Sequence, residues 1–305
     1  MARAPLPAVV IGGWLGAGKT TLVNALLRRA GGQRLAVLVN DFGSVNIDAG
    51  LIEDAAAGVL ALSGGCLCCA FGDDLLGTLA AVAAREPAPD AVLIELSGVA
   101  LPAAVLRTAR LSPAVEVTGA LVLADATAVR RQAADRYVGD TVRRQLQQAD
   151  WLLASKTDLL AEGELDALEP WLQAQAPQAR LLPGPAAALP VELLLGWGEG
   201  ASATATPWAP RPIGPAASLF ESISLPLPDG CDLHALGARL ADPRSGVLRA
   251  KGLARTAGGE GRLLQVAAGR ASVTPMPVQG AGRLLLIGLR GRWQPETLLA
   301  PADGC

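Results

Sequence analysis

A chain of 305 residues exceeds the usual size of one domain, so its length predicts one large domain and a smaller one. Hydrophobic residues make up 51 % of it, but alanine contributes much of that share and no uncharged apolar run is long enough to span a bilayer, which argues against a membrane protein. A formal net charge of -2 and an aromatic content of 3 % argue against a nucleic-acid binder, because such proteins need a basic face or aromatic stacking platforms.

The N-terminal segment carries a phosphate-binding loop. An apolar run typical of a buried strand, residues 8–11, precedes it, and residues 20–29 have the apolar spacing of a helix. Between them the chain matches G-x-x-x-x-G-K-[ST], in which backbone N–H groups surround phosphate oxygens, the lysine reaches the β- and γ-phosphates and the hydroxyl ligates Mg²⁺. This context favours a nucleotide site over an ordinary glycine-rich turn. The predicted nucleotide-binding residues are Gly13, Gly16, Ala17, Gly18, Lys19, Thr20 and Thr21, with Thr20 on Mg²⁺.

A second buried strand, residues 35–39, predicts a parallel, right-handed β-α-β unit. The polar segment 40–52 follows it, at the carboxyl edge where α/β proteins bind ligands. This segment, which includes Asp41, either responds to the γ-phosphate or the metal, or is a surface loop rich in turn-forming residues.

Three cysteines, Cys66, Cys68 and Cys69, come shortly after the next predicted strand, residues 59–62. Three thiolates form a soft ligand set that suits Zn²⁺, Cu(I) or Co²⁺ better than Mg²⁺ or Ca²⁺. Water, a carboxylate such as Asp41 or a partner's ligand could complete the shell, and core packing or redox pairing remain alternatives. Such crowding is unlike a secreted disulfide framework, so together with the nucleotide loop it predicts a reducing cytoplasm. His234, the sole histidine, is predicted to be a surface or packing residue.

Two later strand ends carry further motifs. Glu95 ends the strand 91–94, and the acid-x-x-Gly pattern that it begins can hold Mg²⁺ and bring the N–H of Gly98 to the γ-phosphate. Residues 155–158, Ser-Lys-Thr-Asp, follow the strand 151–154 and resemble the [NT]-K-x-D guanine signature. There the lysine stem packs over the base and the aspartate accepts from the guanine N1–H and amine, which adenine cannot match. A capping or turn role is the alternative for both motifs.

The remaining predictions complete the fold. Further helices are predicted at 73–85 and 141–149 and a strand at 117–124, and the Pro-, Ala- and Gly-rich stretch 182–215 indicates a linker. Beyond it, strands are predicted at 219–227, 247–254, 262–266, 271–277 and 284–287, with helices at 233–240 and 295–299. The expected fold is therefore an α/β P-loop NTPase domain with a doubly wound, mostly parallel sheet (1–185), a linker (186–216) and a smaller α+β domain with an antiparallel sheet (217–305).

In this order, the motifs resemble the CobW-type metallochaperone GTPases, relatives of the urease and hydrogenase nickel-insertion GTPases. The resemblance is carried by residues 13–21, 40–43, 65–69, 95–98 and 155–158, with weaker similarity at 249–252 and 286–288. It implies GTP hydrolysis coupled to the delivery of Zn²⁺ or Co²⁺ to a client metalloprotein, with GTP and Mg²⁺ as cofactors. By position, the implied catalytic residues are Lys19, Asp41 and Glu95, the guanine ligands Ser155, Lys156 and Asp158, and the metal ligands Cys66, Cys68 and Cys69.

The chain departs from the family pattern in places. Asp41 replaces the usual glutamate, Ser44 a frequent acid and Ser155 the usual Asn or Thr, and there is no histidine-rich stretch. No arginine finger or water-positioning glutamine is evident, so slow intrinsic turnover is expected, accelerated by a client or by a nucleotide-dependent homodimer.

Two other functions remain open. A P-loop small-molecule kinase with structural cysteines would form ADP only with an acceptor. A zinc-binding interaction protein with a vestigial nucleotide site would bind metal equally well without GTP.

Overall fold

The computed structural model describes residues 4–30, 32–39, 60–63, 73–195, 211–212, 219–278 and 280–291. The chain divides into two compact units, Met1–Ala187 and Ala188–Cys305. Asp41, the three clustered cysteines and the predicted helix 295–299 lie outside the described residues. Among the helices in the described ranges, none is both long enough and apolar enough to cross a bilayer.

The first unit contains a seven-stranded sheet in which every pairing is parallel. Its strands are β1 (Leu6–Gly13), β2 (Leu35–Val39), β3 (Leu60–Ser63), β4 (Ala91–Glu95), β5 (Val115–Asp125), β6 (Trp151–Ser155) and β7 (Arg180–Leu182). Their spatial order is β3-β2-β4-β1-β5-β6-β7, with β1 near the middle. This confirms the predicted α/β class. The apolar strands β2 and β4 are buried along their whole length, as expected for a parallel sheet that is covered on both faces.

In the part of the chain that the structure describes, six helices connect these strands. They are α1 (Lys19–Arg28), α2 (Asp73–Ala83), α3 (Pro102–Ala109), α4 (Val129–Ala134), α5 (Gly139–Gln147) and α6 (Glu164–Gln175). The sequence did not predict α3, α4, α6 or β7. Alanine makes up three of the eight residues of α3 and fits both buried and exposed positions, so the apolar periodicity that marks a helix is weak there. Helix α6 contains Pro170, a residue that usually ends a helix.

The second unit is an antiparallel sheet covered by a helix. Its elements are α7 (Val191–Leu195), β8 (Arg211–Pro212), β9 (Phe220–Pro226), α8 (Leu233–Ala241), β10 (Val247–Arg255), β11 (Gly261–Ala267), β12 (Arg270–Pro275) and β13 (Arg283–Leu289). The strand order is β12-β11-β10-β13-β9-β8, and the apolar side of α8, including Leu236 and Leu240, joins the core of this sheet. This confirms the predicted α+β class. The stretch predicted as a linker includes α7 and β8.

Three side chains of this unit differ in burial and in contacts. Arg249 is buried, and its guanidinium donates to the carbonyls of Leu193 and Leu194 at the C-terminal end of α7. His234 is exposed at the start of α8. Cys231 is buried and disulfide-bonded.

Burial in the first unit can be tested with two leucines. Leu79 in α2 is fully buried (0 % exposed), whereas Leu111 is 74 % exposed. We expect Leu79→Ala to lower the free energy of unfolding by about 2–5 kcal/mol, because it leaves a cavity in the core. The matched change Leu111→Ala should alter it by less than about 0.5 kcal/mol. Urea denaturation measures both, and equal losses would contradict the packing described.

Candidate nucleotide site

The loop between β1 and α1 has a backbone that depends on glycine. Gly13 and Gly18 have φ angles of 134° and 90°, which other residues rarely adopt. A Cβ on Gly13 would also lie 2.4 Å from the carbonyl oxygen of Leu123 in β5. Gly18 precedes α1 and no side chain caps this helix, and the N-terminus of a helix attracts an anion.

The charge of Lys19 lies inside this loop. Its side chain is buried, and its ammonium donates to the carbonyls of Gly13 at 3.1 Å and Trp14 at 3.3 Å. The ammonium therefore lies beside the positive end of the α1 dipole, and both favour a phosphate at this position.

Glu95 at the end of β4 is in contact with Thr20 in the first turn of α1. Glu95 ends β4 with 2 % of its surface exposed, and the strand register places it opposite Ile11 in β1. The Thr20 hydroxyl donates to Glu95 Oε1 at 2.7 Å. A buried carboxylate needs a nearby cation or donors, and hydroxyl and carboxylate oxygens are ligands that Mg²⁺ accepts. The donor set therefore fits the Mg²⁺ site predicted for these residues.

The turn after β4 packs directly against the loop. A Cβ on Gly98 would lie 2.5 Å from Leu15 Cδ2 and 2.8 Å from the Leu15 nitrogen, so only glycine fits there. Gln145 in α5 donates from Nε2 to the carbonyls of Gly98 and Ala100, both at 2.9 Å. Sequence reasoning missed Gln145, because nothing in a polar helical pattern marks which glutamine is buried.

Asp125 holds Lys156 at the other side of β1. Lys156 follows β6 in the left-handed conformation, and its ammonium lies 2.7 Å from Asp125 Oδ2. Asp125 Oδ1 accepts from the Thr127 N–H at 3.0 Å and the Thr127 hydroxyl at 2.7 Å. Burial raises the pKa of Asp125, but the hydrogen bonds from Lys156 and Thr127 outweigh it and hold that pKa below its usual value. Sequence reasoning missed this pairing, for which the only signal was an acid at the end of a neighbouring strand.

The other residues predicted to bind the nucleotide differ in exposure. Ser155 is buried, and its hydroxyl donates to the Ala124 carbonyl at 3.2 Å, which ties β6 to β5. Asp158 is exposed in a single turn of 3₁₀ helix, Thr157–Leu159, directly after Lys156. In the phosphate loop and α1, Gly16 and Thr21 are exposed and Ala17 is buried.

The segments predicted to bind metal begin at the same edge of the sheet. Val39 at the end of β2 lies opposite Ser63 of β3 on one side and Glu95 of β4 on the other. Adjacent strands are about 4.8 Å apart, so the end of β3 lies roughly 14 Å from that of β1. Strands β2 and β4 lie between them. The segment that contains Asp41 follows β2, and Glu95 is the last residue of β4. Within the described ranges, no three His, Cys, Asp or Glu side chains are grouped to hold a metal ion.

The chain is similar to a known protein family and to several known proteins. The family model described as "CobW/HypB/UreG, nucleotide-binding domain" matches residues 7–183. The zinc chaperone CobW of Sinorhizobium sp is 32 % identical over 194 residues, 54 % of this chain and 55 % of that protein. The zinc chaperone CobW of Pseudomonas aeruginosa is 31 % identical over 225 residues (63 % and 60 %), and the zinc chaperone YjiA of Escherichia coli 32 % over 168 residues (52 % and 52 %). The chain spans between half and two thirds of the length of these relatives.

The pairing of Asp125 with Lys156 makes a pH-dependent contribution to stability. We expect Asp125→Asn to lower the free energy of unfolding by about 2 kcal/mol at pH 7, because Lys156 loses a charged acceptor. The wild-type carboxylate supplies this stability above the usual aspartate pKa of about 3.9 and loses it as the pH falls through its lower folded-state pKa. The difference between the two proteins, measured by urea denaturation across pH 3–7, should therefore shrink only at acidic pH.

The control for this change is Asp140→Asn. Asp140 pairs with Arg144 on the surface, with 66 % of its side chain exposed, so its loss should change stability by less than about 1 kcal/mol. A difference between wild type and Asp125→Asn that is equal at pH 3 and pH 7 would show that the carboxylate charge does not contribute.

Proposed function

Because this chain belongs to the CobW/HypB/UreG family, we propose that it is a metallochaperone GTPase, in which GTP controls a metal site formed by Cys66, Cys68 and Cys69. The ion, Zn²⁺ or Co²⁺, would pass from these thiolates to a client metalloprotein when the nucleotide is hydrolysed. The relatives named zinc chaperones favour zinc. One observation carries the coupling: the strands that lead into the cysteine segment and into the phosphate loop end at one sheet edge, with β2 and β4 between them.

The nucleotide would lie across the end of β1. Lys19 and the first N–H groups of α1 would bind the β- and γ-phosphates, and Thr20 and Glu95 would hold Mg²⁺, which neutralises phosphate charge when bound. On the other side of β1, Lys156 is held by Asp125 where β5 and β6 end, and Asp158 would accept from the guanine N1–H and amine.

The coupling would run through the two intervening strands. A γ-phosphate would be contacted by the turn after Glu95 and by the segment that begins after Val39 and contains Asp41. Since β2 pairs directly with β3, a change in the segment after β2 would reach the cysteine segment that follows Ser63. Hydrolysis would then release the segment after β2 and the cysteine segment, and with them the ion.

Guanine recognition can be tested by changing the base. We expect Asp158→Asn to weaken GTP binding roughly 100-fold, because a charged acceptor for two guanine donors is lost. The same variant should gain affinity for xanthosine triphosphate, since the asparagine amide can donate to the carbonyl that replaces the guanine amine. Fluorescence titration with GTP, ATP and xanthosine triphosphate measures the three affinities of the wild type and of the variant.

The exposed acid Asp166 in α6 provides the control, since Asp166→Asn should leave all three affinities unchanged. Tighter binding of ATP than of GTP by the wild type, together with acceptor-dependent ADP formation, would support the small-molecule kinase instead.

The metal site can be tested by competitive titration of Zn²⁺ and Co²⁺, with and without Mg²⁺ and a non-hydrolysable GTP analogue. We expect the analogue to raise the Zn²⁺ affinity of the wild type about tenfold or more, which corresponds to a coupling free energy typical of linked sites. Cys66→Ser should lose most of this affinity in both conditions, because a hydroxyl is a poor ligand for a soft ion.

Lys19→Ala provides the matched control, since it should keep the nucleotide-free metal affinity and lose the effect of the analogue. Equal Zn²⁺ affinity of the wild type with and without the analogue would contradict the coupling and favour a zinc-binding interaction protein. Unchanged affinity in Cys66→Ser would exclude this cysteine as a ligand.

A further inference from the structure

The buried side chain of Gln145 in α5 binds the turn between β4 and α3. Within the turn, the Ala100 N–H donates to the Ser97 carbonyl at 3.0 Å. Two other carbonyls of this turn, those of Gly98 and Ala100, accept hydrogen bonds from Nε2 of Gln145 in α5. Gln145 is 1 % exposed. Because a primary amide has two N–H groups, this one side chain can bind both carbonyls and fix the position and the orientation of the turn.

The chemistry at this position requires an amide. Gln145 Oε1 is buried and accepts no hydrogen bond from the described residues. It belongs to the lining of a small cavity of about 10 Å³, together with Trp14, Asp125 and Gln132, which is close to the room that one water molecule needs. A reversed amide, or a glutamate, would place oxygen against two carbonyl oxygens. The side chain therefore acts as a double donor to the turn.

The turn that Gln145 holds is in contact with the phosphate loop. Gly98 approaches Leu15 so closely that a single added carbon would overlap it. Glu95, at the start of the same segment, accepts from Thr20 at the first turn of α1. The segment 95–100 is thus fixed to the loop on one side and to α5 on the other.

We propose that Gln145 is a positioning residue for recognition of the γ-phosphate. By binding the carbonyls of Gly98 and Ala100, it keeps the Gly98 N–H at the place where a γ-phosphate oxygen would accept from it. This inference rests on the proposed function, since it needs GTP as the ligand. GDP has no γ-phosphate, so Gln145 acts on the triphosphate state and not on binding of the base or the β-phosphate.

The test compares Gln145→Met with the wild type. Methionine keeps the length and approximate volume of the side chain and removes both donors. We expect affinity for a non-hydrolysable GTP analogue with Mg²⁺ to fall about tenfold, as for the loss of one hydrogen bond to a charged group, while GDP affinity changes less than twofold. Single-turnover GTP hydrolysis should fall by at least the same factor. GDP binding also reports whether the variant is folded.

Gln148→Met, at the C-terminal cap of the same helix, is the matched control. Gln148 Oε1 accepts from the Ala103 N–H at 2.9 Å, so this variant loses one contact between α5 and α3 without touching the turn. Its ratio of analogue to GDP affinity should equal that of the wild type. If Gln145→Met lost GDP binding by misfolding, Gln145→Leu, which is smaller and also lacks both donors, would be compared in its place and should show the same selective loss.

Two results would overturn the proposal. An unchanged ratio in the Gln145 variants, or equal weakening of GDP and the analogue, would show that Gln145 has a packing role only. Failure of the wild type itself to bind GTP would overturn the proposed function, and it would be seen before any Gln145 variant is measured.

Discussion

The parallel pairing of β1 with β4 on one side and β5 on the other is the constraint on which the site depends. It places Glu95 beside the phosphate loop and brings Leu123 so close to Gly13 that the loop must begin with glycine. Because parallel strands end at a common edge, residues far apart in the chain meet there without any long loop having to position them. The loop, the acid and the lysine–aspartate pair therefore follow from one sheet register.

Charged groups buried at this edge explain why its geometry is specific. Lys19, Glu95 and Asp125 are each less than a tenth exposed, and each is bound by a defined partner: backbone carbonyls, the Thr20 hydroxyl, and Lys156 with Thr127. Burying a charge is unfavourable unless donors, acceptors or counter-charges surround it. The fold tolerates these groups because strand ends and helix termini supply such partners, which also leaves the charges ordered before a ligand arrives.

Several residues of this edge could be found from the sequence, because they belong to local sequence patterns. A phosphate loop between an apolar strand and a helix, and an acid at a strand end, are local patterns. The structure brings Thr20 and Glu95 into contact, and their role as Mg²⁺ ligands stays a prediction. Helix α3 was missed because alanine weakens its apolar period, and α6 because it contains Pro170, a residue that usually ends a helix. Asp125 and Gln145 were missed for another reason: their partners are 31 and 45 or more residues away, and no local pattern records such a contact.

These two residues also share surroundings, which links the two ends of the nucleotide site. Asp125 holds the lysine expected over the base, Gln145 holds the turn expected at the γ-phosphate, and both line the small cavity behind Trp14 of the phosphate loop. Closely packed interiors transmit displacements rather than absorbing them. A substitution that changed the volume of a side chain at this cavity would therefore be expected to disturb the supports of both motifs, whereas one that keeps the volume would not.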